Sequence, residues 1–431
     1  MAKVELKREQ SLAVILKNYP YGNGETFFSA ELKILSKRFK TIVIVSRQSG
    51  VSEQQIHFEL PDNVSHVNLD ISTSPAQRVL FLVKSLFNGI FLRVLRDILN
   101  SQTSISLLTI KTALAYDEAA MLNEKKLLAA LKIKDVVPDN FLWYSYWCDD
   151  SAYLLSRWKA RGIISKAISR AHGYDLYAER HPRNYLPYRS FICHSLDRVI
   201  CISTHGKNRL TDNYPHLKNK FKVFLLGVSN QASIQTQKPT PFRIVSISTI
   251  IPLKNLQILI QAIEKLDNVQ LEWHHLGRGN GDAYEDSILQ MADTLLSQKP
   301  NISFRFHGFI PPEKVMETLK ELRPHVLVNS SHFEGIPVSM MEACSLGIPV
   351  IGPQIYGVPE IIKNGINGFT FFPVNADSLR QAIAKMTDLT ESTYAEMRLN
   401  ARALQQAEFN AERNHLEFTS YIEEISNETS L

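Results

Sequence analysis

The chain has 431 residues, of which 44% are hydrophobic and 21% charged, with 18 Gly and 19 Pro. That balance excludes collagen-like, low-complexity and wholly disordered classes, and the length allows two domains, each with its own core. The formal net charge of +5 is the sum of unlike halves: residues 1–240 hold 33 Lys+Arg against 20 Asp+Glu, or +13, and residues 241–431 hold 15 against 23, or −8.

From the N-terminus, charges come early and the apolar stretch LAVIL (12–16) is too short for a signal-peptide core or a membrane span. A cytoplasmic protein is expected. The four cysteines, Cys148, Cys193, Cys201 and Cys344, show no CxxC or zinc-finger spacing, which fits a reducing compartment. LAVILKNYP reads as a buried strand, YGNGE as a loop, and TFFSAELKILSKRF as a helix with Phe27, Leu32, Leu35 and Phe39 at helical spacing. Thr41–Ser46 (TIVIVS) is the next strand. Strand, loop, helix and strand make a βαβ unit, for which a parallel sheet with right-handed crossovers is expected.

The longest hydrophobic region, Val79–Leu99, is interrupted by Lys84, Arg93 and Arg96 and is too polar to span lipid. Its periodicity favours a core-facing helix with solvated cationic edges; a basic amphipathic helix lying on a membrane is the other reading. Further strands are expected at Phe141–Trp147 and Arg198–Ile202, with helical material between them. The segment SNQASIQTQKPTP (229–241) is polar and aperiodic and reads as a linker. Beyond it the alternation restarts: strand Arg243–Ser248, helix Leu256–Leu266, strand VQLEWHHLG, helix Ala283–Leu296, strand ISFRFHG, helix PEKVMETLKEL, strand HVLVNS, a helix from Val338, and strand IPVIG. The expected class is α/β, with two doubly wound domains. They are bounded at 1–230, a linker 231–241, a second domain 242–400, and a helical tail 401–431 that packs back on the first.

The most informative stretch is NSSHFEGIPVSMMEACSLGIPVIGPQIYGVPEII, Asn329–Ile362. A strand runs into a loop holding Glu334 and Gly335, and Pro337 opens a helix whose first amides, near Val338–Met340, form an anion site suited to a diphosphate. Glu342 falls four residues after Val338 in the same helix. A carboxylate accepts two hydrogen bonds side by side, which suits vicinal sugar hydroxyls, so Glu334 and Glu342 can bracket a sugar nucleotide. As a lone residue, Glu342 reads equally as an acidic residue of a first helical turn.

The spacing inside EGIPVSMMEA, followed by GIPVIG and YGVPEII, resembles the signature of the retaining nucleotide-sugar transferases of glycosyltransferase family 4, which have the GT-B fold: two Rossmann-like domains facing across a cleft. RIVSISTIIPLKN, HHLGRGNG and FHGFIPPEKV resemble the first three strand-loop segments of the family's donor domain, and NYPYGNGETFF and SRAHGYDLY resemble a branch that builds bacterial surface polysaccharides. The resemblance implies that Glu342 holds the ribose hydroxyls, that Glu334 lies near the donor sugar and reacting centre, and that Lys254 neutralises the departing diphosphate. Thr249, Gly277, Gly335, Ile336, Pro337, Val338 and Ser339 complete the implied donor set. Thr249 stands where many members carry an arginine, and Arg278 is a candidate to compensate.

On the acceptor side, His172 aligns with a family position lining the cleft, and Asp175 is a candidate for acceptor deprotonation or sugar binding. Gly22 and Gly24 allow close backbone approach, although an isolated GxG also describes a plain tight turn. The pairs His274/His275 and His194/His205 lack zinc-ligand spacing, and Asp149 and Asp150 are merely adjacent, so neither metal nor other cofactor is expected. The implied activity is transfer, with retention, of a hexose-type sugar from a nucleoside diphosphate to a hydroxyl of a glycan or lipid-linked acceptor in capsule, exopolysaccharide or lipopolysaccharide synthesis. A catalytically silent sugar-nucleotide-binding protein on the same fold is the alternative. Nucleic acid is not an expected partner, because the basic residues form no run or recognisable motif. The basic half is expected to touch an anionic membrane, giving a cytoplasmic protein peripheral to the inner face of the cell membrane.

Overall fold

The computed structural model describes residues 10–21, 25, 27–47, 58–70, 75–234 and 241–428. Contacts divide the chain into two compact units, Met1–Phe224 with His415–Leu431, and Leu225–Asn414. The expected turn glycines Gly22 and Gly24 lie outside the described residues.

In unit 1, β1 (Ser11–Ile15), α1 (Phe28–Arg38), β2 (Thr41–Ser46) and β3 (Val64–Asn68) are followed by three helices, α2 (Pro75–Phe87), α3 (Ile90–Asn100) and α4 (Leu107–Ile133). Then come β4 (Phe141–Ser145), α5 (Asp150–Ala160), β5 (Ala167–Ala171), α6 (Arg189–Ser195), β6 (Arg198–Cys201), α7 (Thr204–Asn213) and β7 (Phe221–Val223). The seven strands form one parallel sheet in the order β3-β2-β1-β4-β5-β6-β7. Strands such as AVI in β1 and IVIV in β2 are buried along their length, as a sheet covered on both faces requires.

Unit 2 repeats the plan with β8 (Phe242–Ile247), α8 (Leu256–Glu264), β9 (Leu271–Leu276), α9 (Ala283–Leu296), β10 (Ile302–Phe306), α10 (Pro312–Leu322), β11 (Val326–Val328), α11 (Val338–Ser345), β12 (Val350–Pro353), α12 (Val358–Ile361), β13 (Gly368–Phe371), α13 (Ala376–Thr387) and α14 (Glu391–Glu408). Its six strands are parallel, in the order β10-β9-β8-β11-β12-β13. In both units the order reverses beside the first strand, between β1 and β4 and between β8 and β11. Open α/β sheets bind ligands at such switch points, outside the carboxyl ends of the strands.

The last helix, α15 (Ala411–Asn427), returns to unit 1. Phe418, Ile422 and Ile425 enter the unit 1 core, and Arg38 on α1 donates to both carboxylate oxygens of Glu423. The wholly buried Arg170 of β5 places its guanidinium 4.2 Å from the centre of the Phe418 ring and 2.5 Å from Glu31. His415 approaches the same Glu31 carboxylate at 3.5 Å.

Several expected boundaries shift. β3, β5, β7 and β13 were not anticipated, and Trp147 lies just beyond β4. The first part of the polar segment belongs to unit 2: Ile234 donates its amide to Leu346 O at 3.2 Å and Arg398 donates to Ile234 O. The helical tail rejoins unit 1 at His415 rather than 401, because α14 buries Tyr394, Met397 and Ala401 within unit 2. The region Val79–Leu99 is two helices rather than one, broken at Gly89 with φ +69°, and much of its apolar surface faces outward.

Candidate active site

In unit 2 the loops leaving β8 and β11 meet at the switch point. Pro252–Lys254 forms a short turn, and Asn255 follows at φ 52° to start α8. The β11 loop is tied to it by backbone: His332 donates its amide to Leu253 O, and the Ser330 hydroxyl donates to Lys254 O, both at 2.9 Å. These ties bring the Lys254 ammonium 2.7 Å from Glu334 Oε1. Ser331 Oγ, at 2.7 Å, and Asn329 Nδ2, at 3.1 Å, donate to the same oxygen. Glu334 Oε2 receives no hydrogen bond among the described residues.

α11 starts one turn further on. Pro337 precedes it in an extended conformation, and no side chain caps its first amides. Met340 donates its amide to Pro337 O at 3.2 Å, which leaves the amides of Val338 and Ser339 at the positive end of the helix dipole. Val338 is exposed and Ser339 half-buried, whereas Ile336 is covered. Glu342 sits in the same helix, and its carboxylate makes no hydrogen bond or ion pair among the described residues. Burial pushes its pKa up to about 7. A half-buried carboxylate with no partner among the described residues is a candidate to receive a ligand.

Glycines hold these loops close. A Cβ on Gly357 would stand 1.9 Å from Gly335 O, and the neighbouring Tyr356, at φ 46°, lays its ring 4.0 Å from that of Phe333. Gly277, at φ +136°, passes so near the β8 loop that a Cβ would meet Ser248 O at 2.0 Å. Only glycine fits that backbone. Thr249 is exposed on this loop, and Arg278, also exposed, lies 6.0 Å over the Phe309 ring.

In unit 1 the strand ends gather a different set. Glu25 accepts backbone amides of Lys17, Asn18 and Tyr19 at 2.7–3.1 Å and the Trp147 indole N–H at 2.5 Å. Lys17 lies 5.1 Å over Trp147 and 3.4 Å from Asp149. Buried Arg47 donates to Asp149 at 3.2 Å and to Asp150. His172 packs between Tyr146 and Trp147, with ring centres 5.1 and 4.3 Å away. Its Nδ1 stands 3.6 Å from Asp175 Oδ2, and neither ring nitrogen has a hydrogen bond.

Both Asp175 oxygens are occupied, by the amides of His172 and Cys148, each at 2.6 Å. Burial pushes this carboxyl up, but His172 and the Cys148 amide outweigh it and hold the group below the usual range. Asp175 thus braces the turn that carries His172. The sequence reading missed Lys17, Glu25, Arg47 and Trp147 and set Asp149 and Asp150 aside; the available signal was that several of them directly follow strand ends. Among the described residues no group of three or more His, Cys, Asp or Glu could hold a metal ion.

Residues 229–404, nearly all of unit 2, match the family model described as Glycosyl transferases group 1. The chain is 25% identical over 277 residues to a protein of Escherichia coli named as the colanic acid biosynthesis glycosyltransferase WcaL, covering 61% of this chain and 66% of that one. It is 26% identical over 279 residues to the amylovoran biosynthesis glycosyltransferase AmsK of Erwinia amylovora, covering 60% and 62%. The chain thus matches a little under two thirds of the length of these relatives. Among solved structures, Anabaena HepE in complex with UDP superposes with a TM-score of 0.65 at 15% identity, covering 96% of this chain and 100% of that one. Sucrose-phosphate synthase of Thermosynechococcus elongatus gives 0.68 at 14%, covering 96% and 99%. The fold is therefore of the GT-B type, two parallel-sheet α/β units with a C-terminal helical region.

Proposed function

We propose that the chain is a retaining glycosyltransferase of family 4 that moves a hexose-type sugar from a nucleoside diphosphate to a hydroxyl of a glycan or lipid-linked acceptor, in bacterial surface-polysaccharide synthesis in the cytoplasm. The observation that carries this reading is the Lys254–Glu334 pair, 2.7 Å apart at the switch point of the unit that matches the transferase family. The names of the relatives WcaL and AmsK support exopolysaccharide synthesis as the setting.

Unit 2 would grip the donor. The open amides of α11 and the Lys254 ammonium would stabilise the charge that builds on the diphosphate as the glycosyl bond breaks. Glu342 would accept the ribose hydroxyls, and the unengaged Oε2 of Glu334 would face the donor sugar. This set supplies the electrostatic work without a metal ion. In unit 1, the His172 turn and the aromatic faces of Trp147 and Tyr174 would meet the acceptor.

The test is incubation with a panel of UDP-, GDP- and ADP-sugars and lipid-linked acceptors, measuring released nucleoside diphosphate beside Glu342→Ala. Stimulated release with one donor class, lost in the variant, supports the reading. The exposed Thr249, where many family members carry an arginine, favours the silent sugar-nucleotide-binding alternative; tight binding without release would select it.

A further inference from the structure

We propose that the outer face of α2, α3 and the start of α4 is a docking surface that seats on an anionic lipid bilayer, apolar side chains entering the acyl region and cations meeting the headgroups. The inference stands on the surface of unit 1 alone and does not require glycosyl transfer. In α3 the buried row is Ile90, Val94 and Ile98. The opposite surface of the α2–α3 hairpin leaves Val79, Leu80, Val83, Leu86, Phe87 and Leu92 between 50% and 83% exposed. In α2 these positions recur three and four residues apart, so they form one face. Phe87, the most exposed of them, stands at the tip, two residues before the Gly89 break. Leu107, 85% exposed at the start of α4, extends the surface, and a groove of about 630 Å³ lined by Phe81, Leu82, Ile110 and Leu114 runs between α2 and α4. Soluble proteins rarely leave so much large apolar side chain in water without an interface to cover it.

Charge selects the occupant. Between residues 75 and 111 stand Arg78, Lys84, Arg93, Arg96 and Lys111, and the sole acid is Asp97; of these cations Arg93 pairs with the buried Asp117 of α4, and Glu118 of α4 lines the groove together with Arg78 and Lys111. Asp97 is only 8% exposed and is consumed by the Tyr185 hydroxyl and the Tyr188 amide. A second copy of the chain, meeting this face about a two-fold axis, would press cations against cations. An anionic bilayer neutralises them and covers the apolar residues at once, the combination that holds amphipathic helices in a membrane interface. No described helix is long and apolar enough to cross the membrane, so the attachment is peripheral. It assigns a defined face to the membrane contact expected of the basic half.

The test uses the full chain in co-sedimentation with phosphatidylcholine vesicles, with and without phosphatidylglycerol, beside Lys84→Glu/Arg96→Glu and Leu86→Ser/Phe87→Ser. All four side chains are exposed, so an unchanged thermal midpoint is expected and certifies folding. The wild type is expected to sediment only with anionic vesicles and to be released as salt rises from about 0.1 M to about 1 M. Charge reversal weakens partition by about fivefold or more per cation, and the serine pair abolishes it. A Phe87→Trp variant should gain emission that shifts to the blue on binding and is quenched by brominated acyl chains. No sedimentation with anionic vesicles, binding indifferent to the serine pair, or a concentration-dependent dimer that the serine pair dissolves would each overturn the proposal.

Discussion

Lys254 and Glu334, 80 residues apart in sequence, form an ion pair of 2.7 Å between the loops that leave β8 and β11. The lysine is thereby held in place, and preorganised charge is the kind that lowers a barrier without reorganisation cost. Lys254→Ala is expected to lower donor turnover by about 10²–10³-fold, measured as nucleoside diphosphate released per second. Global stability should change little, because the pair is partly solvated. An unchanged rate would remove Lys254 from the chemistry.

Glu342 is expected to make donor affinity depend on pH. Its folded-state pKa of about 7 lies above the ordinary 4.5. The folded protein therefore keeps a proton that the unfolded chain has lost, and the associated stability is fully present below 4.5 and declines as pH rises to 7. Ribose hydroxyls bind the ionised form, so nucleoside diphosphate affinity is expected to climb between about pH 6 and pH 8 with a proton released on binding. Calorimetry in buffers of different ionisation enthalpy reads both. Glu342→Gln should flatten the profile, and an equal slope in that variant would exclude Glu342 as its source.

Gly357→Ala tests the brace behind the donor loop. Its new Cβ would meet Gly335 O at 1.9 Å, backbone against backbone. A loss of about 2–4 kcal/mol in denaturant unfolding is expected, with donor binding weakened because the Glu334–Gly335 loop must move. A variant as stable as the wild type would show that this loop yields without cost.

Donor turnover is expected to survive exhaustive treatment with EDTA, because on the proposed reading Lys254 and the α11 amides would take the role a cation otherwise fills. Loss of turnover on chelation, restored by added magnesium, would contradict this.

The loop, the start of α11 and the place of Glu342 were legible because their signals are local: GIPVSMMEA carries all three within a few residues, and the glycines of GIPVIG and YGVPE mark close backbone approach. The parallel order of unit 2 followed from the same alternation of short strands and helices. What was not legible depends on contacts distant in sequence. β5 was missed because AISRA buries Arg170, and a buried arginine is intelligible only with Glu31, 139 residues earlier. Glu25 reads as a loop acid until Trp147, 122 residues on, is seen to donate to it. The periodicity of Val79–Leu99 revealed helix but not which side meets water, since an apolar stripe is the same pattern whether a core or a membrane covers it.

The central claim, that unit 2 holds a nucleotide-sugar with Glu334 at the reacting centre, is tested most directly by comparing Glu334→Gln with the wild type for donor binding and donor turnover in the same preparation. The account predicts that the variant retains nucleoside diphosphate affinity within about threefold while glycosyl transfer falls at least about a hundredfold. Transfer by Glu334→Gln at the wild-type rate would contradict it.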